Sequence, residues 1–449
     1  MERPLTLAAF NGHLYSDPRV KVVTEDARAY AGRSKGRFDI IYSLSSNTFA
    51  ALASGSFALA ENYLFTTEAF RDYWNALNPN GFMVMEHQFY MPRVVSSLRD
   101  ALRGAGVTDP AQHFAVYDLP KLRRNLVLIS RQPLTEEIRQ NAFGPLTPER
   151  WPDLHLLYPA DEKVKDNLIA RIVRDGWQAA APTAPLNVAP TTDDRPFVGQ
   201  LGLWRNVTRE SFKNIRMIEV NGFPLAKLMI VTILGIVLVL LLPLNLVPYL
   251  RPGPKLRALP WLYFFTIGAA FMILEVVLIQ KYTLFVGPST YSIATILLVL
   301  LVASGIGSRL APRFGDWPPF VAIAGWLLAD RLLFGTLVRT GSGLPMAARI
   351  ALTAALVAPL GFFMGMPFPK ATLRVGELVD WGFAVNGTAS VLGSTGILLV
   401  AFAWGFNAAL AIGAALYLLA GLLLSARSRW ASASATQSIS ESADQLPLP

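Results

Sequence analysis

The sequence predicts an α/β domain followed by an all-α, polytopic membrane domain of about seven helices. The 449 residues are 53% hydrophobic and only 16% charged, and the apolar excess is concentrated in the second half. Residues 1–220 have the composition of a soluble domain, whereas residues 221–425 form a series of long apolar runs, which marks a membrane protein. Residues 426–449 are rich in Ser and Ala and predict a disordered tail.

The positive charge of the chain is explained by its membrane half. The net charge is +9 and the sequence pI is about 9.7, and many Lys and Arg flank the apolar runs, where they anchor helix ends to lipid headgroups. The sequence shows no basic stripe with interleaved aromatic side chains, so we expect no nucleic-acid partner. It has no Cys, and its four His lack metal-ligand spacing, so we expect neither disulfides nor a metal site.

The soluble half opens on a strand, a carboxylate, a helix and a second strand. The β-branched run Val20–Val23 predicts the first strand, Asp26 follows it, and the apolar run Phe38–Tyr42 predicts the second strand. In a doubly wound sheet, a carboxylate at this place lies where the base of a nucleotide binds. The same acid is suited to cap the helix that starts at the next residue, and this alternative needs no ligand.

Two further α/β units follow in the soluble half. Thr66–Leu77 has the apolar spacing of a helix, "NPNG" (Asn78–Gly81) predicts a turn, and Phe82–Glu86 predicts a buried strand. The remaining predicted elements are a helix near residues 92–104 and strands near residues 113–117 and 125–130. This order predicts a partial Rossmann-like domain that corresponds to the second half of a methyltransferase-type sheet.

Seven apolar runs predict seven transmembrane helices. Each is close to the roughly 20 residues that cross a hydrocarbon core, and they lie near residues 223–246, 259–280, 289–311, 319–338, 346–366, 382–404 and 407–425. The fourth run is the least regular, because Asp330 and Arg331 interrupt it. Lys281 is expected in a loop beyond the second run. Positive charges nearly balance between the two sides of the membrane, so the positive-inside rule gives little orientation.

Two polar residues inside the apolar runs are candidate functional groups. Glu275 lies in the middle of the second run, where a carboxyl is costly unless it is paired, protonated or in contact with water. It is either a proton or cation site or a structural hydrogen-bonding group whose partner is a residue such as Asn386. Asn386 begins the small-residue stretch "NGTASVLGSTG", which by default predicts close helix packing.

Several stretches resemble the spermidine synthase family. "DPRVKVVTEDARAY" and "GRFDIIY" resemble that family's D-P-R-V, G-D-[AG]-R and Y-D-V-I motifs, and "LFTTEAFRDYWNALNPNG" resembles its L-[FY]-x-x-E-F-[FY]…L-x-P-x-G helix. "ENYLFTTEAF", "TTDDRPF" (Thr191–Phe197), "AAFMILEVVLIQKYTLFVG", "GMPFP" and "VNGTASVLGS" resemble the bacterial integral-membrane, spermidine-synthase-like proteins, which join such a domain to membrane helices. The resemblance covers nearly the whole chain.

The resemblance implies an S-adenosyl ligand and a polyamine acceptor. Asp26, with its neighbour Ala27, would bind the adenine of S-adenosylmethionine or of decarboxylated S-adenosylmethionine, since a carboxylate accepts a hydrogen bond from the exocyclic amine. It further implies a bacterial inner-membrane protein with a cytoplasmic soluble domain. The Gly-rich first unit of the family fold has no counterpart here, which predicts an N-terminally truncated domain. An upstream chain or a second copy would then complete the sheet, because its edge is open.

The expected catalytic acids are replaced. Aminopropyltransferases carry D-[SC]-[ST]-D-P after the Y-D-V-I strand, and Ser43, Ser45 and Ser46 occupy that region of this sequence. Hydroxyl groups keep the site polar but do not act as a general base near neutral pH without a partner. The acids that could substitute for the lost ones are Glu61, Glu68 and Glu86.

Two functions from different classes remain open. The first is membrane-anchored aminopropyl or methyl transfer from an S-adenosyl donor, with the catalytic acids lost and turnover by this chain doubtful. The second is a polytopic transporter or binding protein whose soluble domain is regulatory and non-catalytic. Because the Gly-rich loop is missing, we expect any S-adenosyl affinity to be no better than about millimolar.

Overall fold

A computed structural model describes residues 7–10, 12–44, 61–87, 90–138, 152–159, 167–213, 219–250, 252–287, 289–426 and 430. The soluble half contains a mixed five-stranded sheet with the order β1-β2-β4-β3-β5. Its strands are β1 (Phe38–Ser43), β2 (Leu77–His87), β3 (Phe114–Leu119), β4 (Arg124–Ser130) and β5 (His155–Tyr158). The pair β1–β2 is parallel and the remaining pairs are antiparallel.

The four later predicted strands are confirmed, and the first one is wrong. Val20–Val23 belongs to no strand, and Val22 is 58% exposed. A β-branched run becomes a strand only where a neighbour pairs with its backbone, and within the described residues no strand lies beside it. The sequence pattern does not predict the fifth strand, β5, which covers the edge of β3.

The "NPNG" turn interrupts the pairing of β1 with β2 rather than preceding β2. Phe38 pairs with Leu77, and Ile40 already pairs with Phe82, so Asn78–Gly81 loops out between these two pairs. Because the turn lies within the paired region, β2 begins at Leu77, earlier than the apolar run "FMVME" predicts.

Helices pack against one face of the sheet and form the main core of the soluble domain. They are α1 (Ala27–Arg33), α2 (Thr67–Ala76), α3 (Met91–Gly104) and α4 (Leu168–Asp175), with short helices at Leu7–Phe10, Trp177–Ala180 and Arg209–Lys213. Three of the four longer helices begin with a side-chain cap that accepts from a backbone N–H, formed by Asp26, Thr66 and Asn167. These caps satisfy N–H groups that have no partner inside the helix.

Seven long helices follow among the described residues. They are α5 (Leu225–Leu246), α6 (Ala258–Val286), α7 (Ser289–Leu310), α8 (Pro318–Gly341), α9 (Met346–Met364), α10 (Val379–Trp404) and α11 (Phe406–Ser425). By length and composition they form six segments able to cross a membrane, because Met346–Trp404 contains α9, the short helix Pro367–Val375 and α10. Exposed apolar side chains, such as Val239 and Leu244, suit contact with lipid. The chain is therefore an integral membrane protein by these criteria.

Helix α6 lies at the centre of the membrane bundle, and small residues let its neighbours approach closely. Gly393 of α10 lies against the backbone of Ala269, and Gly413 of α11 lies against Leu274, with no room for a Cβ at either glycine. The predicted packing role of the small-residue stretch after Asn386 agrees with these contacts.

The predicted disordered tail lies outside the described residues except for Ala426 and Trp430. The ring of Trp430 packs edge-on against Tyr263 at 5.3 Å, and its indole N–H donates to the carbonyl of Leu423 at 3.0 Å. Trp430 is therefore part of the membrane bundle.

Candidate functional site

A cavity of about 550 Å³ lies beside β1, between that strand and helix α1. Five consecutive residues of the chain, Ile40–Leu44, line it. Because successive side chains of a strand point to opposite faces, a cavity that touches all five follows the edge of β1 that faces away from β2, where no described strand pairs with it, rather than one face of the sheet. The remaining lining side chains are mostly apolar or aromatic and include Ala27, Tyr30, Leu64, Tyr73 and Met83.

Two of the predicted site residues meet at this cavity, and a third lies next to it. Ala27 and Ser43 both line the cavity. The carboxylate of Asp26 accepts a hydrogen bond from the backbone N–H of Ala29 at 2.7 Å, so its predicted role as a helix cap is confirmed. Ser45 and Ser46 lie outside the described residues.

Two of the three alternative acids, Glu86 and Glu68, are engaged elsewhere. Tyr42 donates a hydrogen bond to Glu86, which also pairs with Arg124 at 2.9 Å, and these two contacts hold the pKa of Glu86 below its usual value. Glu68 accepts from the backbone N–H of Asp193 at 3.0 Å. Burial raises the pKa of Glu68, and it raises the pKa of Glu61 as well. None of these acids lines the cavity among the described residues.

The donor set of the cavity does not fit an S-adenosyl cofactor. No described residue in its lining is charged, and residues 44–60, which follow β1, contain no Asp or Glu. Among the described lining residues the sulfonium and ammonium groups of such a ligand would have no carboxylate partner, and burying a charge without one is costly. The cavity suits a neutral or apolar occupant better.

The "TTDDRPF" stretch joins the soluble domain to the membrane helices. Asp193 binds the guanidinium of Arg28 through two bonds of 2.6 and 2.8 Å, and Asp72 binds the same group at 3.0 Å. Burial alone would lower the pKa of Arg28, but Asp193 and Asp72 raise it. Arg28 therefore stays charged and holds the stretch against α1.

Asp194 and Phe197 make the contacts on the membrane side. The backbone carbonyl of Asp194 accepts from the N–H of Phe406 at 2.9 Å, and its side chain accepts from the N–H of Asn407 at 2.8 Å. Asp194 thus supplies a cap for α11 from the soluble domain. The ring of Phe197 packs edge-on against Phe402 at 4.7 Å and against Phe406 at 5.4 Å.

A buried arginine, Arg93, shapes the segment that carries this junction. It is only 2% exposed and donates to four backbone carbonyls, those of Ala189, Phe197, Val198 and Gln200, at 2.6–3.2 Å. Sequence reasoning missed this residue. The sequence feature that indicates it is an Arg among the apolar residues on one face of the amphipathic helix α3.

Further contacts tie α1 and the short 3-10 turn before α2 to the bundle. The hydroxyl of Tyr63 donates to the carbonyl of Gln280 at 2.8 Å. Arg33, at the end of α1, donates to the carbonyl of Ser342 at 3.3 Å. The soluble domain is thereby held at the ends of α6, α8 and α11.

The membrane helices contain a buried ion pair that the sequence prediction did not anticipate. Lys281 of α6 and Asp330 of α8 are 2.5 Å apart, with side chains 8% and 2% exposed, and Tyr282 donates to Asp330 at 3.0 Å. The predictions that Lys281 lies in a loop and that Asp330 interrupts a span are both wrong. The two opposite charges neutralise each other inside the bundle, and α6 and α8 run through these positions without a break.

Glu275 and Asn386 are not partners of each other. The amide of Asn386 donates to the carbonyl of Phe264 at 3.2 Å. Glu275 is half-buried and has no hydrogen-bond or ion-pair partner in the part of the chain that the structure describes. The prediction that Glu275 is a proton or cation site stays a prediction.

In the described residues, no group of three or more His, Asp or Glu side chains is placed to hold a metal ion. Comparison with protein-family models, with curated proteins and with solved structures finds no match to this chain.

Proposed function

We propose that this chain is a polytopic membrane protein whose soluble domain is a docked, non-catalytic regulatory domain. The observation that carries the proposal is the junction at Asp193 and Asp194, where one stretch binds α1 of the soluble domain and caps a membrane helix. A domain held in this way can influence the helices beneath it, since any change at α1 alters contacts with the bundle.

The chemistry around the cavity supports a non-catalytic domain. General acid–base catalysis needs a titratable group within hydrogen-bond reach of the reacting atoms. Ser43 lines the cavity without a carboxylate or His beside it in the described lining, and Glu86 is held as a carboxylate by Tyr42 and Arg124. Two tyrosines of the lining are poor bases, because the hydrogen bond to Glu86 raises the pKa of Tyr42 and burial raises the pKa of Tyr73. A base with a lowered pKa accepts a proton poorly near neutral pH.

The resemblance to the spermidine synthase family suggests a second function, aminopropyl or methyl transfer from an S-adenosyl donor to an acceptor such as a polyamine. The specific observation in its favour is that Ala27 and Ser43 share one cavity. Against it stands the absence of charged side chains from the described lining.

Calorimetry on the detergent-purified protein distinguishes the two functions. S-adenosylmethionine and its decarboxylated form should bind no more tightly than about 1 mM, a binding free energy of about −4 kcal/mol. The matched pair of variants is Asp26→Ala and Asp109→Ala, because Asp109 also accepts from a backbone N–H at the start of a helical turn. Micromolar affinity that is lost in Asp26→Ala and kept in Asp109→Ala would support the transferase instead.

Regulation further requires that the two domains be coupled. The full-length protein in detergent should unfold in one transition when followed by tryptophan fluorescence, and Asp194→Ala should separate the transitions of the two domains. Two independent transitions in the unmodified protein would count against a docked regulatory domain, whatever the outcome of the ligand titration.

A further inference from the structure

The cavity beside β1 has the size and the lining of a site for an apolar ligand. Its volume of about 550 Å³ lies within the range of small-molecule sites, about 300–1,000 Å³. Phe38, Ile41, Met83 and Met85 line it together with residues of α1, and no charged side chain is among its described lining residues. Because burying a charge without a partner is costly, this lining favours an uncharged ligand that is mostly hydrocarbon.

The cavity is open to the outside along a strip of apolar side chains. Ile40, Tyr42 and Leu44 all line it and are exposed, Ile40 to 65%. Residues 40, 42 and 44 alternate along the chain and therefore lie on one face. Apolar side chains that are exposed next to one another mark a binding surface. A hydrocarbon chain that enters here would cover this strip.

Hydroxyl groups in the lining can bind the polar end of such a ligand. Tyr42 and Tyr73 already donate hydrogen bonds to other groups. The other hydroxyl-bearing residues of the described lining are Tyr30 and Ser43, and Ser43 donates only a long bond of 3.4 Å to the carbonyl of the next residue. These two side chains suit an uncharged head that carries hydroxyl or ester oxygens.

Two elements that line the cavity are held at the end of the membrane bundle. Arg33 donates to the carbonyl of Ser342, which follows α8, and Tyr30 lies three residues earlier on the same face of α1. Leu64 lines the cavity as well, and its neighbour Tyr63 donates to a backbone carbonyl of α6. The cavity therefore lies about one helical turn from the bundle.

Helix α8 presents apolar side chains to lipid near this point. Leu328, Leu332 and Leu333 are all exposed, Leu332 to 68%, as expected for a helix face that contacts acyl chains. Because α1 contacts the residue after this helix, the lipid-facing surface of the bundle and the open cavity lie close to each other. The bilayer is thus the nearest source of an apolar ligand.

We propose that the cavity binds the hydrocarbon chain of an uncharged, single-chain lipid that leaves the bilayer. The chain lies along Ile40, Tyr42 and Leu44, and the hydroxyls of Tyr30 and Ser43 bind its head. No covalent step is involved. The inference deepens the proposed function, because it names the ligand of the docked, non-catalytic domain, and it rests on that function for its regulatory consequence.

Photolabelling in vesicles tests the proposal. The full-length protein is reconstituted into phosphatidylcholine vesicles that contain a monoacylglycerol with a diazirine at the methyl end of its chain. In the bilayer that end lies inside the hydrocarbon core, so it labels the soluble domain only where the chain has left the bilayer. Mass spectrometry of the peptides should locate label at Ala27–Ala31 and Ile40–Leu44. Helix α5, whose exposed side chains such as Val239 suit contact with lipid, should be labelled in every sample and serves as internal control.

A variant that fills the cavity should lose this label. Ala31 is a buried residue of the lining, so Ala31→Phe should reduce the label at the cavity to background and leave the label on α5 unchanged. Ala179→Phe is the matched control, because Ala179 is an exposed alanine of the soluble domain, and it should keep both labels. Size-exclusion chromatography in detergent shows whether each variant folds. If Ala31→Phe does not fold, Ala27→Phe decides, since Ala27 lines the cavity but is exposed.

Label confined to the membrane helices of the unmodified protein overturns the proposal, as does label at the cavity that persists in the folded filling variant. Failure of this proposal differs from failure of the proposed function. An unlabelled cavity in a protein that unfolds in one transition removes the lipid and leaves the docked domain. A labelled cavity in a protein with two independent transitions keeps the lipid site and removes its regulatory consequence.

Discussion

Replacing Asp193 with Asn tests whether its pair with Arg28 fixes the soluble domain. The carboxylate accepts two bonds from Arg28 and one from the hydroxyl of Thr66 at 2.7 Å. The Arg28 side chain is only 9% exposed, so Asp193→Asn leaves a buried guanidinium without its main counter-charge. Breaking a fully buried pair costs about 3–5 kcal/mol. Because Asp193 is 25% exposed and water screens part of the pair, we expect a loss of about 2–3 kcal/mol in unfolding free energy.

Asp72→Asn is the matched control for this variant. The same guanidinium donates to Asp72 at 3.0 Å, but Asp72 is 39% exposed. Exposed ion pairs contribute about 0–1 kcal/mol, so Asp72→Asn should cost less than about 1 kcal/mol. Both variants remove a carboxylate partner of the same buried cation, Arg28, so the two losses can be compared directly.

Chemical unfolding of the detergent-purified protein, followed by tryptophan fluorescence, measures both losses, and Trp74 reports on the soluble core because it is buried there. Limited proteolysis should cleave the soluble domain faster in Asp193→Asn than in Asp72→Asn. Equal losses in the two variants, or a larger loss in Asp72→Asn, would refute the reasoning.

Three further variants test other parts of the fold. Arg93→Met removes four buried hydrogen bonds and leaves their carbonyls unpaired, so we expect at least about 3 kcal/mol of destabilisation; unchanged thermal stability would contradict this. Asp26→Ala removes a helix cap and should cost about 1 kcal/mol, measured in the same unfolding assay, whereas a cost above about 3 kcal/mol would mean that Asp26 does more than cap. Burial raises the pKa of Glu219 above its ordinary value of 4.5, so the folded state holds this proton more tightly. The stabilisation from that proton is complete below about pH 4.5 and is lost as pH rises through the raised pKa. Glu219→Gln should therefore flatten the pH dependence of stability above about pH 4.5, and an unchanged slope would show that Glu219 does not cause it.

The parts of the fold that follow from local pattern are predictable. The helix starting after Asp26 and the strand Phe38–Ser43 are encoded by residues near one another in sequence. The long helices of the membrane domain follow from apolar runs that must satisfy their own backbone hydrogen bonds in lipid. Val20–Val23 is the exception, because an apolar run needs a neighbour to become a strand, and no local pattern reveals whether one is present.

The candidate site is predictable only in part. The resemblance predicts Asp26, Ala27 and Ser43 as site residues, and Ala27 and Ser43 do line one cavity. It does not reveal that "TTDDRPF" binds α1 on one side and caps α11 on the other. Those contacts join residues more than 150 positions apart, and no spacing rule encodes such a distance.

The sequence by itself determined an α/β domain, a membrane domain of long apolar helices, and the absence of Asp and Glu from residues 44–60, which follow β1. Those features depend on composition and on periodicity within single elements. Only the tertiary structure decided that Lys281 and Asp330 neutralise each other and that Asp194 caps a membrane helix. It also placed the cavity along the edge of β1 that faces away from β2. The physical reason is that burial and pairing of charges depend on which elements become neighbours, and that is settled by packing of the whole chain.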